Sequence, residues 1–237
     1  MLVRAFVCLI VGLAASAGAA AAGSRTVLEL FTSQGCSSCP PADRLFAQLA
    51  HDPQFIVMSL PVDYWDRLGW KDTFAKHMFT ERQRAYAFMR GDGQVYTPQA
   101  VVNGSEHANG ANMLAIGASA ETTTPPRLPL TVRQDGAEID VAVDAARPGS
   151  PQASVVVLPY LASREVAVGR GENSGTRITY TNIVRDIIPA GEWSGAPATF
   201  KVKLPPGEHY DGAVVLVQEG TPEQPGAILG AERVELH

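Results

Sequence analysis

Val27-Leu28-Glu29-Leu30-Phe31 runs directly into Thr32-Ser33-Gln34-Gly35-Cys36-Ser37-Ser38-Cys39-Pro40-Pro41. The first five residues form an apolar run of the kind that makes a buried strand. Pro40 and Pro41 suit the first turn of a helix, where a missing N–H costs nothing. Leu45, Phe46 and Leu49 then recur at helical spacing. Two thiols thus stand two residues apart at a strand-to-helix turn, a pair that can close a disulfide and open it again.

Reading outward, Asp52-Pro53 stops the first helix, and Phe55 to Leu60 is a second strand. Asp72 to Met89 carries Phe74, Met78, Tyr86 and Met89 on one helix or two. Thr97-Pro98 introduces a third strand, Gln99 to Val102. Asn103-Gly104 is a hairpin turn signal, Ser105 to Ala108 returns, and Asn109-Gly110 opens a last helix. The order is β-α-β-α-β-β-α. Glu121-Thr122-Thr123-Thr124-Pro125-Pro126 then reads as a stiff polar connection of the sort found at domain boundaries. Beyond it the texture changes to about eight strands with turn signals between them, the pattern of a β-sandwich. Gly169-Arg170-Gly171-Glu172-Asn173-Ser174-Gly175 reads as a hairpin loop; no helix pattern follows it, as a phosphate site would require.

The start of the chain bears on compartment. Arg4 is followed by the uncharged apolar run Ala5 to Ala15, and Ala20-Ala21-Ala22 offers a signal-peptidase site. Residues 1–22 are expected to be a cleaved leader. Its apolar core is short for a membrane anchor, and no later stretch is long and apolar enough to span a bilayer. The expected mature protein is soluble and periplasmic or secreted. Cys8 leaves with the leader, so Cys36 and Cys39 remain as its two cysteines, in a compartment where disulfides persist. The net charge of −5, with scattered Lys and Arg, argues against nucleic-acid binding.

Two motifs, Phe31 to Cys39 at the first strand-to-helix turn and Thr97-Pro98-Gln99-Ala100-Val101-Val102-Asn103-Gly104, resemble a thioredoxin-like fold and locally a glutaredoxin. In that fold the proline after Thr or Val is cis and faces the thiols. The longer stretches Glu29 to Asp43, Val62-Asp63-Tyr64-Trp65, Leu68-Gly69-Trp70-Lys71-Asp72 and Arg82-Gln83-Arg84 resemble a secreted bacterial family catalogued as domain of unknown function 1223. That family often carries His before the Val-Asp-Tyr-Trp run, where this chain has Pro61. With the strand pattern and the polar connection read above, the expectation is an α/β thioredoxin-like domain over residues 23–122, as the resemblance implies, a linker at 123–127 and an all-β sandwich-like domain over 128–237. The resemblance implies no settled activity.

The chemistry follows from residue types. Cys36 precedes the helix, where N-terminal N–H groups favour a thiolate, and is the expected nucleophile. Cys39, inside the first turn, is the expected resolving thiol. Thr97 and Pro98 are expected to line the site. Asp63, Tyr64 and Trp65 follow the second strand and are expected to flank Cys36 as a substrate groove or as loop packing. Glu29 is the candidate proton acceptor for Cys39 if it faces the thiols; an edge-facing Glu29 is the competing reading. Arg82 and Arg84 read as ligand carboxylate binders or as solvated helix charges, and Asn109-Gly110 lacks one glycine of a glutathione-binding pair.

Three functions stay open. The favoured one is a thiol–disulfide oxidoreductase acting on a protein or on a small thiol or disulfide, with no cofactor. The second is a non-enzymatic binding module with a structural disulfide, although a bridge closing so small a loop stabilises little. The third is a copper-handling protein using the reduced pair. No ligand-like spacing links His51, His77 or His107, so no metal site is assigned.

Overall fold

A computed structural model describes residues 25–146 and 149–237. The leader expected at residues 1–22 lies outside the described residues. The described residues form twelve strands and three α-helices. In chain order the first half contains β1 (Thr26–Thr32), α1 (Pro40–Leu49), β2 (Phe55–Pro61), α2 (His77–Arg90), β3 (Gln99–Val102), β4 (Glu106–Asn109) and α3 (Met113–Thr122). The second half contains β5 (Leu130–Asp135), β6 (Glu138–Val143), β7 (Ala153–Ala167), β8 (Arg177–Val184), β9 (Ile188–Trp193), β10 (Ala198–Lys203), β11 (Gly212–Thr221) and β12 (Gln224–Glu235).

β1 is buried along nearly its whole length, which explains its unbroken apolar character. It pairs in parallel with β2, from Thr26↔Phe55 to Thr32↔Pro61, and antiparallel with β3, from Leu28↔Val102 to Phe31↔Gln99. The β3–β4 hairpin turns at Asn103 (φ 49°) and Gly104 (φ 76°), the pair of positive φ angles that an Asn-Gly turn supplies.

The expected α/β thioredoxin-like domain followed by a separate β-sandwich is not what forms. β8 lies parallel to β2, with Ser59 opposite Ile183. The junction is tied by Ser59 Oγ donating to Thr181 O (2.8 Å) and by Asn182 Nδ2 donating to Val57 O (3.0 Å). One nine-stranded mixed sheet results, in the order β12-β11-β7-β8-β2-β1-β3-β4, with β9 also paired to β7. β7 makes this possible through its length: residues 153–157 pair with β9 and residues 160–167 with β8 on one edge, while β11 lies along the other. A three-stranded sheet, β10-β6-β5, packs its Ile139, Val141 and Val202 against Val155, Val157, Ala213 and Val215 of the large sheet. Alternation along a strand reports which face is buried, not which strand lies beside it. The free edge of β2 needed a partner, and the second half supplies it.

The core shows the same merger. Val27, Phe31, Met58 and Leu60 share one cluster with Phe79 and Tyr86 of α2 and with Val156, Leu158, Val214 and Leu216 of the second half. On the opposite face of β1, Leu28 and Leu30 pack with Ala42 and Phe46 of α1 and Ile116 of α3. A smaller cluster joins Trp70 and Phe74 to Ile178, Tyr180 and Ile183. No helix among the described residues is long and apolar enough to cross a membrane.

Candidate functional site

The turn after β1 carries the two cysteines, and they are joined as a disulfide with Cα atoms 5.4 Å apart. Cys39 caps α1: its carbonyl accepts from Ala42 N (2.8 Å) and Asp43 N (3.1 Å). Pro40 and Pro41 remove two donors from the first turn. The backbone donors closest in sequence to Cys36 are therefore those of Ser37, Ser38 and Cys39, and that of Cys39 is spent on Cys36 O (3.2 Å). Both cysteines have 0% of their surface exposed, whereas Ser37 and Ser38 between them face solvent.

Thr97 and Pro98 stand beside the pair, joined by a cis peptide bond. Ser38 Oγ, 3.4 Å from Cys36 Sγ, donates to Thr97 O at 3.4 Å. The segment is held by Gln83 Nε2 donating to Tyr96 O (2.7 Å) and by Trp65 Nε1 donating to Thr97 Oγ1 (2.8 Å). Gly110 N donates to Pro98 O, and a Cβ on Gly110 would stand 2.6 Å from Leu30 and 3.4 Å from Pro98 and Ala42. Its bare backbone is thus a packing requirement. Trp65 also reaches the motif, its Cβ only 3.2 Å from where a Cβ on Gly35 would lie.

Asp63 and Tyr64 turn the other way, toward α2. Asp63 accepts from Thr80 Oγ1 (2.5 Å) and pairs with His77 Nδ1 (3.0 Å), and Tyr64 OH donates to Gln83 Oε1 (3.3 Å). Nor does the structure bring Glu29 to the thiols. Side chains alternate along a strand, so Glu29 shares the α2 face with Val27 and Phe31 while α1 covers Leu28 and Leu30. There it is buried and held by Arg82, Nε to Oε2 at 2.6 Å and Nη2 to Oε1 at 3.0 Å, and by the Tyr86 hydroxyl. Arg82 is itself buried, so it is a structural cation rather than a solvated charge or a ligand clamp.

The buried carboxyl one helical turn from Cys39 is Asp43, whose N–H donates to Cys39 O. It follows Cys39 by one helical turn on the same face, and helical side chains lean back over the preceding turn. Asp43 is 3% exposed; Oδ1 accepts from Thr32 Oγ1 (2.8 Å) and Oδ2 is buried without a partner. Burial pushes this carboxyl up to about 8, the Thr32 hydroxyl opposing and the Asp72 charge adding to the rise. The Asp43 proton is therefore retained at neutral pH. The four-residue spacing from Cys39 was the available signal for it.

Two further segments brace the motif. Gln34 N donates to Asp72 Oδ2 (2.7 Å), and Gln34 Oε1 accepts from Trp70 Nε1 (2.8 Å). From the second half, Asn173 Nδ2 donates to both Gln34 O (3.0 Å) and Cys36 O (2.8 Å), while Ser37 N donates to Glu172 Oε2 (3.3 Å). No cluster of three His, Cys, Asp or Glu among the described residues is arranged to hold a metal ion. His77 and His107 are engaged by Asp63 and Asp92.

A family model described as a protein of unknown function, DUF1223, matches residues 27–218. Among solved structures, the crystal structure of protein AGR_C_4864 from Agrobacterium tumefaciens is similar, with 32% sequence identity and a TM-score of 0.75. The match covers 89% of this chain and 93% of that one. Comparison with curated proteins returns no match. The family match spans the cysteine turn and β7 and β8, the strands of the second half that join the sheet beside β2, and on it the chain belongs to the DUF1223 family.

Proposed function

We propose that this protein is a thiol–disulfide oxidoreductase whose working group is the Cys36–Cys39 pair. The observation that carries this reading is a disulfide at the entrance of α1, with the cis Thr97–Pro98 segment beside it and the buried side chain of Asp43 one helical turn on. In the reducing half, a substrate thiolate attacks Cys36 Sγ. A mixed disulfide forms, the Cys36–Cys39 bond breaks, and Cys39 leaves as a thiolate that takes the Asp43 proton. A second substrate thiolate then attacks the substrate sulfur of the mixed disulfide, releasing Cys36 as a thiolate and leaving the substrate oxidised by two electrons. In the opposite direction the Cys36 thiolate attacks a substrate disulfide, forming a mixed disulfide and releasing one substrate sulfur as a thiolate. Asp43 as its anion takes the Cys39 proton, and the Cys39 thiolate attacks Cys36 Sγ, releasing the second substrate sulfur as a thiolate and closing the internal bond. An external disulfide or dithiol of matching potential restores the starting state. The substrate class is a polypeptide or a small thiol or disulfide. The leader expected at residues 1–22 would place this exchange in the periplasm or outside the cell.

The burial of both sulfurs supports a second reading, a structural disulfide in a non-catalytic module. Two variants separate them. The Cys39→Ser protein, incubated with a disulfide-containing polypeptide, is expected to accumulate a mixed disulfide through Cys36, seen by non-reducing electrophoresis and mass spectrometry. Cys36→Ser is expected to form none and to have no turnover. Wild-type protein that neither reduces nor oxidises any substrate, with no adduct from Cys39→Ser, would leave the structural reading.

A further inference from the structure

The β7–β8 loop, residues 169–176, carries no chemical signature in its sequence but lies directly on the cysteine turn. It is closed upon itself: Gly175 N donates to Val168 O (2.8 Å), Val168 N to Thr176 O (2.9 Å), Thr176 N to Asn173 O (3.1 Å) and Ser174 N to Gly171 O (3.1 Å). Gly171 and Gly175 take positive φ angles of 78° and 80°, which lets the loop fold this tightly. Its contacts with the motif are different in kind. Asn173, 6% exposed, spans the carbonyls of Gln34 and Cys36, and Glu172 accepts from Ser37 N. Gly169 and Gly171 rest on Trp70, whose ring would stand 3.1 Å from a Cβ at Gly169. Lifting as a unit would keep the loop's internal bonds and give up the bonds of Asn173 and Glu172 and the packing of Gly169 and Gly171 on Trp70.

An attacking thiolate must approach Cys36 Sγ in line with the S–S bond, and Cys36 has no exposed surface, with the loop held against its own carbonyl and against Ser37 N. Glu172 also sets a carboxylate on an N–H group beside the sulfur, in the position where a Cys36 thiolate would gather donors. We propose that residues 169–176 are a gate on the disulfide, latched by Asn173 and Glu172, and that opening of this gate limits attack on Cys36. The proposal rests on the pair being redox-active for its biological meaning, but the gate itself can be tested without that assumption.

The test is the rate at which a water-soluble phosphine reduces the folded, oxidised protein, followed by trapping of free thiols. Asn173→Ala and the near-isosteric Asn173→Asp, which lacks the amide donor, are each expected to speed reduction about 10- to 30-fold, as loss of two hydrogen bonds to a local opening predicts. Glu172→Gln is expected to give a smaller increase. In wild type the rate is expected to depend only weakly on urea below the unfolding transition, the mark of local opening. Equal rates in wild type and folded Asn173 variants would overturn the gate. So would a wild-type rate whose urea dependence matches that of global unfolding, a result that decides the matter even if the variants fail to fold. Faster phosphine reduction with no exchange on any thiol or disulfide substrate would keep the gate and remove the catalytic reading. Substrate exchange unaffected by Asn173 would do the reverse.

Discussion

Replacing Arg82 by Ala is expected to cost about 3–5 kcal/mol of stability, the usual consequence of leaving a buried charge without its partner. Glu29 and Arg82 are both almost wholly buried, and they meet through two hydrogen bonds in a fork geometry that only a guanidinium offers. The pair does not stand alone. The two hydrogens of Arg82 Nη2 are shared among Glu29 Oε1, the Tyr86 hydroxyl (2.7 Å) and Gln218 Oε1 (2.9 Å), and Gln218 Nε2 donates to Tyr86 OH (2.8 Å). Gln218 belongs to β11, so this network clamps α2 and β1 of the first half to the second half. Arg82→Lys is expected to recover only part of the loss. Replacing the pair together, Glu29→Leu with Arg82→Met, is expected to cost less than Arg82→Ala alone, because no charge is then stranded. Urea unfolding at pH 7 measures all three. A loss below about 1 kcal/mol for Arg82→Ala would mean that Glu29 finds water or a proton without penalty.

The second large effect is expected from Asp43→Asn, and it is a pH effect. In the folded protein the Asp43 carboxyl holds its proton up to about 8; in the unfolded chain it loses it near its ordinary value of 3.8. Folding therefore takes up a proton between those values, and the stability linked to it is fully present below about 4 and lost as pH rises toward 8. Linkage sets the slope at about 1.4 kcal/mol per pH unit within that window. The amide introduced by Asp43→Asn would keep an oxygen for the Thr32 hydroxyl but cannot ionise. The Asp43→Asn protein is expected to be more stable than wild type at about pH 8–9 by several kcal/mol, and to lack this slope. Parallel pH profiles of the two proteins would show that Asp43 is ionised in the fold. The same variant is expected to slow disulfide exchange about 100-fold, the usual worth of a positioned proton donor.

Local structure was largely legible in the sequence, and the sheet was not. β1, α1, β2 and the β3–β4 hairpin follow from an apolar run, two prolines at a helix start and an Asn-Gly turn. Each of these signals acts over a few residues. The β2–β8 junction depends instead on Ser59 and Asn182, which are far apart in the chain and carry no periodic signature. The cysteine turn was visible because the motif is local; Thr97-Pro98, distant in sequence, was expected beside it only from the resemblance to a thioredoxin-like fold. Asn173 was not, since nothing in Gly-Glu-Asn-Ser-Gly says that its loop will lie on Gln34 and Cys36. Glu29 illustrates the cost of a single residue of facing. Strand alternation allows it to meet either the thiols or α2, and only Arg82, arriving from a helix distant in sequence, decides between them. Asp43 was within reach of helical spacing, but a carboxylate in a first turn ordinarily reads as a solvated cap rather than as a buried acid.

The most direct test is the equilibrium reduction potential of the Cys36–Cys39 pair, measured by titrating the native protein against a dithiothreitol or glutathione couple. A value between about −270 and −120 mV, the span of dithiols that exchange with other proteins, is expected for a working redox centre. A value below about −300 mV, with no exchange while the protein remains folded, would contradict it and make the bond a permanent cross-link.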